Sequence, residues 1–145
     1  MGKDPTRKVV AYITQGERFL VFRHPHHPEA GIQVPAGTVN YDETLEDAVL
    51  REAEEETGLS GFKIRAYLGF QDQDLAPWGK DEIHQRHFYH LLFDGHTPFT
   101  WQHHEDEPSE GNEDSILFEF FWVRYPDEVP ELIADQGAFL NQIEV

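Results

Sequence analysis

The sequence predicts an α/β (α+β) fold in which a mixed β-sheet is sandwiched between helices. Three features predict it. Segments rich in β-branched and aromatic residues fall both before and after one bracketed helix, that helix runs from about Leu45 to Thr57, and a second apolar stretch at helical spacing closes the chain. No internal repeat or linker interrupts this order, so residues 1–145 read as a single domain.

From Lys8 to Phe22 the run VVAYITQGERFLVF reads as two strands around a tight turn at Gln15-Gly16, a hairpin. His24 to Gly31, with two prolines and a glycine, reads as a loop, followed by a short strand at Ile32–Val34. Ala36 to Tyr41 is a loop or short strand. Thr44 is placed to cap a helix, with Asp47 three residues on, and Gly58 stands where a helix end needs positive φ. Phe62–Phe70 and Ile83–Phe93 read as strands, the second long and central, joined by a connection around Leu75–Asp81. His103–Ser115 is an acid-rich polar loop, and Ile116–Val123 is apolar enough to be a buried strand. After Pro126 and Pro130, Leu132, Ile133, Leu140 and Ile143 suit a C-terminal helix, weakened by Gly137.

Acidic residues outnumber Lys plus Arg by 28 to 11, giving a formal charge of −17 that repels polyanions and argues against a broad nucleic-acid surface. A small phosphorylated ligand remains compatible with such a chain if bound cations invert the local field. The absence of cysteine excludes disulfides, thiolate metal sites and cysteine nucleophiles. No apolar run reaches membrane-spanning length and the N-terminus lacks the pattern of a signal peptide. The expectation is a soluble, cytoplasmic protein with no membrane partner.

At roughly 100° per residue the helix places Leu45, Val49 and Ala48 on one inward stripe, and Glu52 and Glu56 fall on the same azimuth with Glu55 beside Ala48. Glu46, Asp47 and Glu54 point elsewhere. Carboxylates that continue an apolar stripe are costly unless a proton or a cation neutralises them. A hard divalent cation, magnesium or manganese, suits an all-oxygen site with few protein ligands; an acid-rich solvated helix is the plainer alternative.

The surrounding sequence decides between them. From Gly37 to Leu59 the chain reads GTVNYDETLEDAVLREAEEETGL: Gly37, five residues, Glu43, seven residues, then Arg51-Glu52-Ala53-x-Glu55-Glu56-x-Gly58-Leu59. This resembles the box of the Nudix hydrolase (MutT-like) family at every fixed position, with Ala53 smaller than the usual aliphatic residue. The order of strands and helices around it is similar as well.

The resemblance implies that Glu52, Glu55 and Glu56, helped by the backbone carbonyl of Ala36, hold the magnesium or manganese ions. It makes Glu43 and Arg51 structural, with the Arg51 guanidinium orienting Glu52 by charge-assisted hydrogen bonds. The implied chemistry is attack of activated water on a diphosphate, with Glu52, Glu55, Arg51 and Glu113 in the catalytic set. The base is either a box glutamate or one from the later loop, where Glu105, Glu107, Glu110 and Glu113 are candidates. Glu113 directly precedes a core strand; the plainer reading of each is a solvated loop acid. The substrate implied is a nucleoside diphosphate linked to another moiety, and a homodimer is admitted. A nucleotide-sensing module without catalysis is the alternative, although such modules usually lose box glutamates and none is lost here.

Arg23, Lys80 and Arg86 are candidates for substrate phosphates, and Trp78 and Trp101 for stacking on a base. His24, His26 and His27 lie between prolines and lack partners for a metal site. On a strand, His87 faces opposite to His84 and His90, so those three do not converge. Leu75 stands where ADP-ribose-type members of the family carry a proline, with Pro77 two residues later, so the leaving moiety stays open.

Overall fold

The computed structural model describes residues 5–105 and 116–144. Its strands are β1 (Thr6–Gln15), β2 (Arg18–Arg23), β3 (Ala36–Thr38), β4 (Lys63–Asp74), β5 (Ile83–Leu92), β6 (Thr100–Glu105) and β7 (Ile116–Arg124), with one α-helix, α1 (Leu45–Thr57). They form a seven-stranded sheet in the order β4-β5-β1-β2-β7-β6, with β3 paired to β1. Among the described strands only β1 and β5 pair in parallel; the sheet is mixed, as expected.

Because both faces of the central strands are covered, β1 buries six consecutive residues, Val9 to Thr14, instead of alternating with polar ones. Val9, Ala11 and Ile13 face α1 together with Leu20, Tyr89, Phe120 and Trp122, and meet Ala48, Val49 and Ala53 of the helix. Val10, Tyr12, Phe19, Val21 and Phe88 face the other way, against Val34, Leu132 and Ile143.

That second face corrects one expectation. In place of a C-terminal helix the chain forms two short 3-10 turns, Ile133–Asp135 and Leu140–Gln142. Ala134 and Asp135 adopt φ of 54° and 60°, which no α-helix tolerates, and Gly137 stands two residues on. Tertiary hydrogen bonds hold the segment instead: the Tyr12 hydroxyl donates to the Gln136 carbonyl and accepts from the Phe139 amide, while the Gln136 side chain accepts from Val34 N at 2.9 Å. The apolar residues read as a helical stripe still divide as inward anchors (Leu132, Ile143) and an exposed Ile133.

Further boundaries differ: β4 continues to Asp74, beyond the expected end at Phe70. Thr100–Glu105 is strand β6, although His103 onward read as loop; Ile32 and Gln33 make isolated bridges, to Leu132 and Phe22, and no regular strand. Among the described residues no helix is long and apolar enough to cross a membrane.

The hairpin strands β1 and β2 pair only next to their turn, at Thr14↔Phe19 and Gln15↔Arg18, and then part. The chain from Gln33 to Val39 is wedged into that fork. Gln33 exchanges two hydrogen bonds of 2.9 Å with Phe22 of β2; Pro35 O accepts from Ala11 N at 2.8 Å, and Ala36, Gly37 and Thr38 continue down β1 opposite Val10, Val9 and Lys8. This wedge carries the residues that meet the acidic face of α1.

Candidate active site

Helix α1 begins as its sequence dictates. Thr44 takes extended φ/ψ and its hydroxyl accepts from Asp47 N at 3.1 Å; Glu46 and Asp47 complement the N-terminal dipole, and Gly58 closes the helix at φ 77°. The apolar residues turn inward and draw Glu52 and Glu56 with them, each 6% exposed.

Both carboxylates meet the wedge. Glu56 accepts from Ala36 N at 2.8 Å. Glu52 lies against Gly37, where a side-chain Cβ would come within 2.0 Å of the Glu52 carboxyl carbon, so any larger residue would push the carboxylate out of this seat. The first box glycine is thus required by the approach of a carboxylate to a strand, and not by a turn.

Arg51 binds the surrounding groups together. Its Nε and Nη2 clasp Glu43 at 2.7 and 2.8 Å, Nη1 donates to Glu52 at 2.9 Å and to Glu55 at 3.2 Å, and Nη2 also reaches the Thr38 carbonyl at 2.9 Å. The Arg51 hydrogen bonds pull the Glu43 carboxyl down to about 2 from an ordinary 4.5, and the guanidinium in turn is held above its usual range. Glu55 is the open member, its side chain 51% exposed.

The remaining candidates are distributed around the sheet. Arg23 ends β2, forms an ion pair with Glu119 and lies over the Phe121 ring, bordering a cavity of about 250 Å³ with Phe99 and Thr100. Trp78 and Lys80 are exposed in the connection between β4 and β5. Arg86 is buried on the face opposite α1, donating to the Ala134 carbonyl at 2.8 Å and to Gln71 at 2.6 Å. The structure therefore gathers Ala36, Arg51, Glu52, Glu55 and Glu56 and does not bring Lys80, Arg86 or Trp78 to them. Glu107, Glu110 and Glu113 lie outside the described residues. Trp101 is not a loop residue: it stacks on Phe120, and its indole N–H donates to Thr57 O at 2.9 Å.

Among the described residues no three His, Asp or Glu side chains form a ready metal cage. In this arrangement Glu55 turns to Arg51. The donor set nevertheless fits a hard cation in its chemistry: carboxylate and carbonyl oxygens only, two of the carboxylates buried beside backbone. A larger cavity of about 560 Å³ opens at Gly31, Leu132 and Asp135 beneath the C-terminal segment, away from this chemistry.

Comparison with known proteins agrees with this geometry. The chain matches the NUDIX domain over residues 4–142. It belongs to the NUDIX family. This NUDIX chain is 37% identical over 70 residues to an NAD-capped RNA hydrolase, NudC, of Vibrio vulnificus (strain CMCP6), covering 48% of the chain and 24% of that protein. It is 35% identical over 77 residues to an ADP-ribose pyrophosphatase of Methanocaldococcus jannaschii, covering 52% of the chain and 45% of that protein. The chain thus spans less than half the length of these relatives. The crystal structure of a MutT NUDIX hydrolase from Burkholderia pseudomallei superposes with a TM-score of 0.65 at 26% identity, covering 98% of this chain and all of that one.

Proposed function

We propose that this NUDIX protein hydrolyses a phosphate anhydride in a nucleoside diphosphate linked to another moiety, using magnesium or manganese. The observation that carries the reading is the seating of Glu52 and Glu56, buried, against the Ala36–Gly37 backbone, with Arg51 bracing the neighbouring acids. The relatives named as an NAD-capped RNA hydrolase and an ADP-ribose pyrophosphatase support the substrate class.

The residues that would hold the cation are Glu52, Glu55, Glu56 and the carbonyl of Ala36. When bound, such an ion polarises phosphoryl oxygens and makes water a better nucleophile. The chain's own part follows from its geometry. Arg51 fixes the Glu52 carboxylate and Gly37 lets it approach the wedge. As water attacks phosphorus and the P–O–P bond breaks, the water proton passes to a carboxylate and the leaving phosphate departs. Glu55, open to solvent at the rim, is the box residue suited to take that proton.

The test is to incubate wild type and Glu56→Gln with nucleoside triphosphates, dinucleoside polyphosphates, nucleotide sugars, ADP-ribose and NADH, with and without either metal, and to identify products by mass. Metal-dependent release of a nucleoside monophosphate by wild type and its loss in the variant is the expected result. Nucleotide binding without turnover across the panel would transfer the assignment to a sensing module.

A further inference from the structure

Glu55 and Glu56 sit in the last turn of α1, where backbone carbonyls have no partner within the helix and the end tends to fray. Beyond the helix's own C-cap bond, two of those carbonyls are met from another element. The Glu54 carbonyl accepts from Gly58 N at 2.9 Å, the Glu55 carbonyl faces His103 Nε2 at 3.0 Å, and the Thr57 carbonyl accepts from Trp101 Nε1 at 2.9 Å. The last two donors come from β6, far away in sequence. A carbonyl can only accept, so His103 carries its proton on Nε2.

β6 presents these side chains by its register. Trp101 lies opposite Phe120 and His103 opposite Phe118, both on the face that packs against α1. The Trp101 ring is stacked on Phe120 at 5.3 Å and 14°, which fixes the indole N–H. The box glycine at the helix end is matched to the same contact, since a Cβ on Gly58 would come within 2.7 Å of His103 Nδ1.

We propose that Trp101 and His103 are positioning residues for the box carboxylates: β6 clamps the last turn of α1 and thereby sets where Glu55 and Glu56 stand. The inference rests on the reading of α1 as the metal-holding helix. It assigns to β6 a role in cation affinity although neither residue is a ligand.

The test uses the full chain as wild type, His103→Ala, His103→Gln and Trp101→Phe. Two quantities are read: amide hydrogen exchange across the last turn of α1, and binding of manganese alone, with the free ion counted by electron paramagnetic resonance. His103→Ala is expected to speed exchange in that turn and weaken manganese binding about tenfold, as removal of an orienting partner does, with little change in melting temperature. Glutamine can donate from Nε2 to the same carbonyl and should restore both. Trp101→Phe keeps an aromatic ring against Phe120 but loses the donor to the Thr57 carbonyl, and should likewise speed exchange in the turn and weaken manganese binding. Unchanged exchange in His103→Ala, or no rescue by glutamine, overturns the clamp. Loosened exchange with unaltered manganese affinity overturns the positioning role. Failure of wild type to bind manganese at all sinks the metal reading together with the positioning role, while the exchange data still show whether the clamp exists.

Discussion

Glu43→Gln isolates the contribution of the Arg51 network without touching a proposed cation ligand. The wild-type carboxylate accepts two hydrogen bonds from one guanidinium, at 2.7 and 2.8 Å, and a third from Asn40 N at 3.0 Å, with its side chain only 13% exposed. Lowering its pKa from 4.5 to about 2 corresponds to about 3 kcal/mol favouring the ionised, folded form at neutral pH. Since the folded value is depressed, this stabilisation is complete above pH 4.5 and is lost as pH falls towards 2. Urea unfolding of wild type and variant, followed by tryptophan fluorescence at several pH values from 7 to 3, measures it. The difference should be near 3 kcal/mol at pH 7 and should shrink below pH 4.5. A difference under about 1 kcal/mol, typical of an exposed ion pair, or one that does not change with pH, would refute the claim that Arg51 and Glu43 form a tightly held brace.

Other expectations follow from the same structure. Gly37→Ala places a Cβ where the Glu52 carboxyl lies, so it should cost about 1–3 kcal/mol and abolish manganese binding, read by calorimetry. Tyr12→Phe orphans the Gln136 carbonyl and the Phe139 amide; a loss of about 1–3 kcal/mol and faster proteolysis of the C-terminal segment should appear together. His90 is buried and bonded to Thr14 at 2.7 Å, and burial lowers its pKa below 6.5. The fold therefore favours the neutral ring, and stability should fall as pH drops below 6.5. Melting curves from pH 7.5 to 5 should show a shallower acid loss in His90→Gln.

What was legible in the sequence was set by local chemistry. Thr44, Gly58 and the apolar stripe of α1 specify both ends and the inward face of the helix, and Glu52 and Glu56 were readable as buried because they share that azimuth. The hairpin was legible because Gly16 supplies the positive φ that its turn needs. What failed depended on distant partners. β6 reads as polar because its inward residues, Trp101 and His103, carry polar heads that are satisfied by the end of α1 and not by water. The C-terminal segment kept its anchors but not its helix, because Tyr12 and Gln136 pull its backbone into a path no helical spacing encodes. Arg86 reads as a phosphate ligand by its charge alone, yet Gln71 and the Ala134 carbonyl claim its guanidinium on the far face.

The wedge between β1 and β2 has a consequence for how the protein opens. Pro35 and Gln33 are tied by backbone hydrogen bonds to the two strands of one hairpin, so the floor of the site is sheet interior and not a detachable loop. Its amides should exchange only when the central strands come apart, at the global unfolding free energy. A cation held between this floor and α1 would then bind the folded ensemble alone, and raising its concentration should lift the melting temperature of the whole domain by mass action.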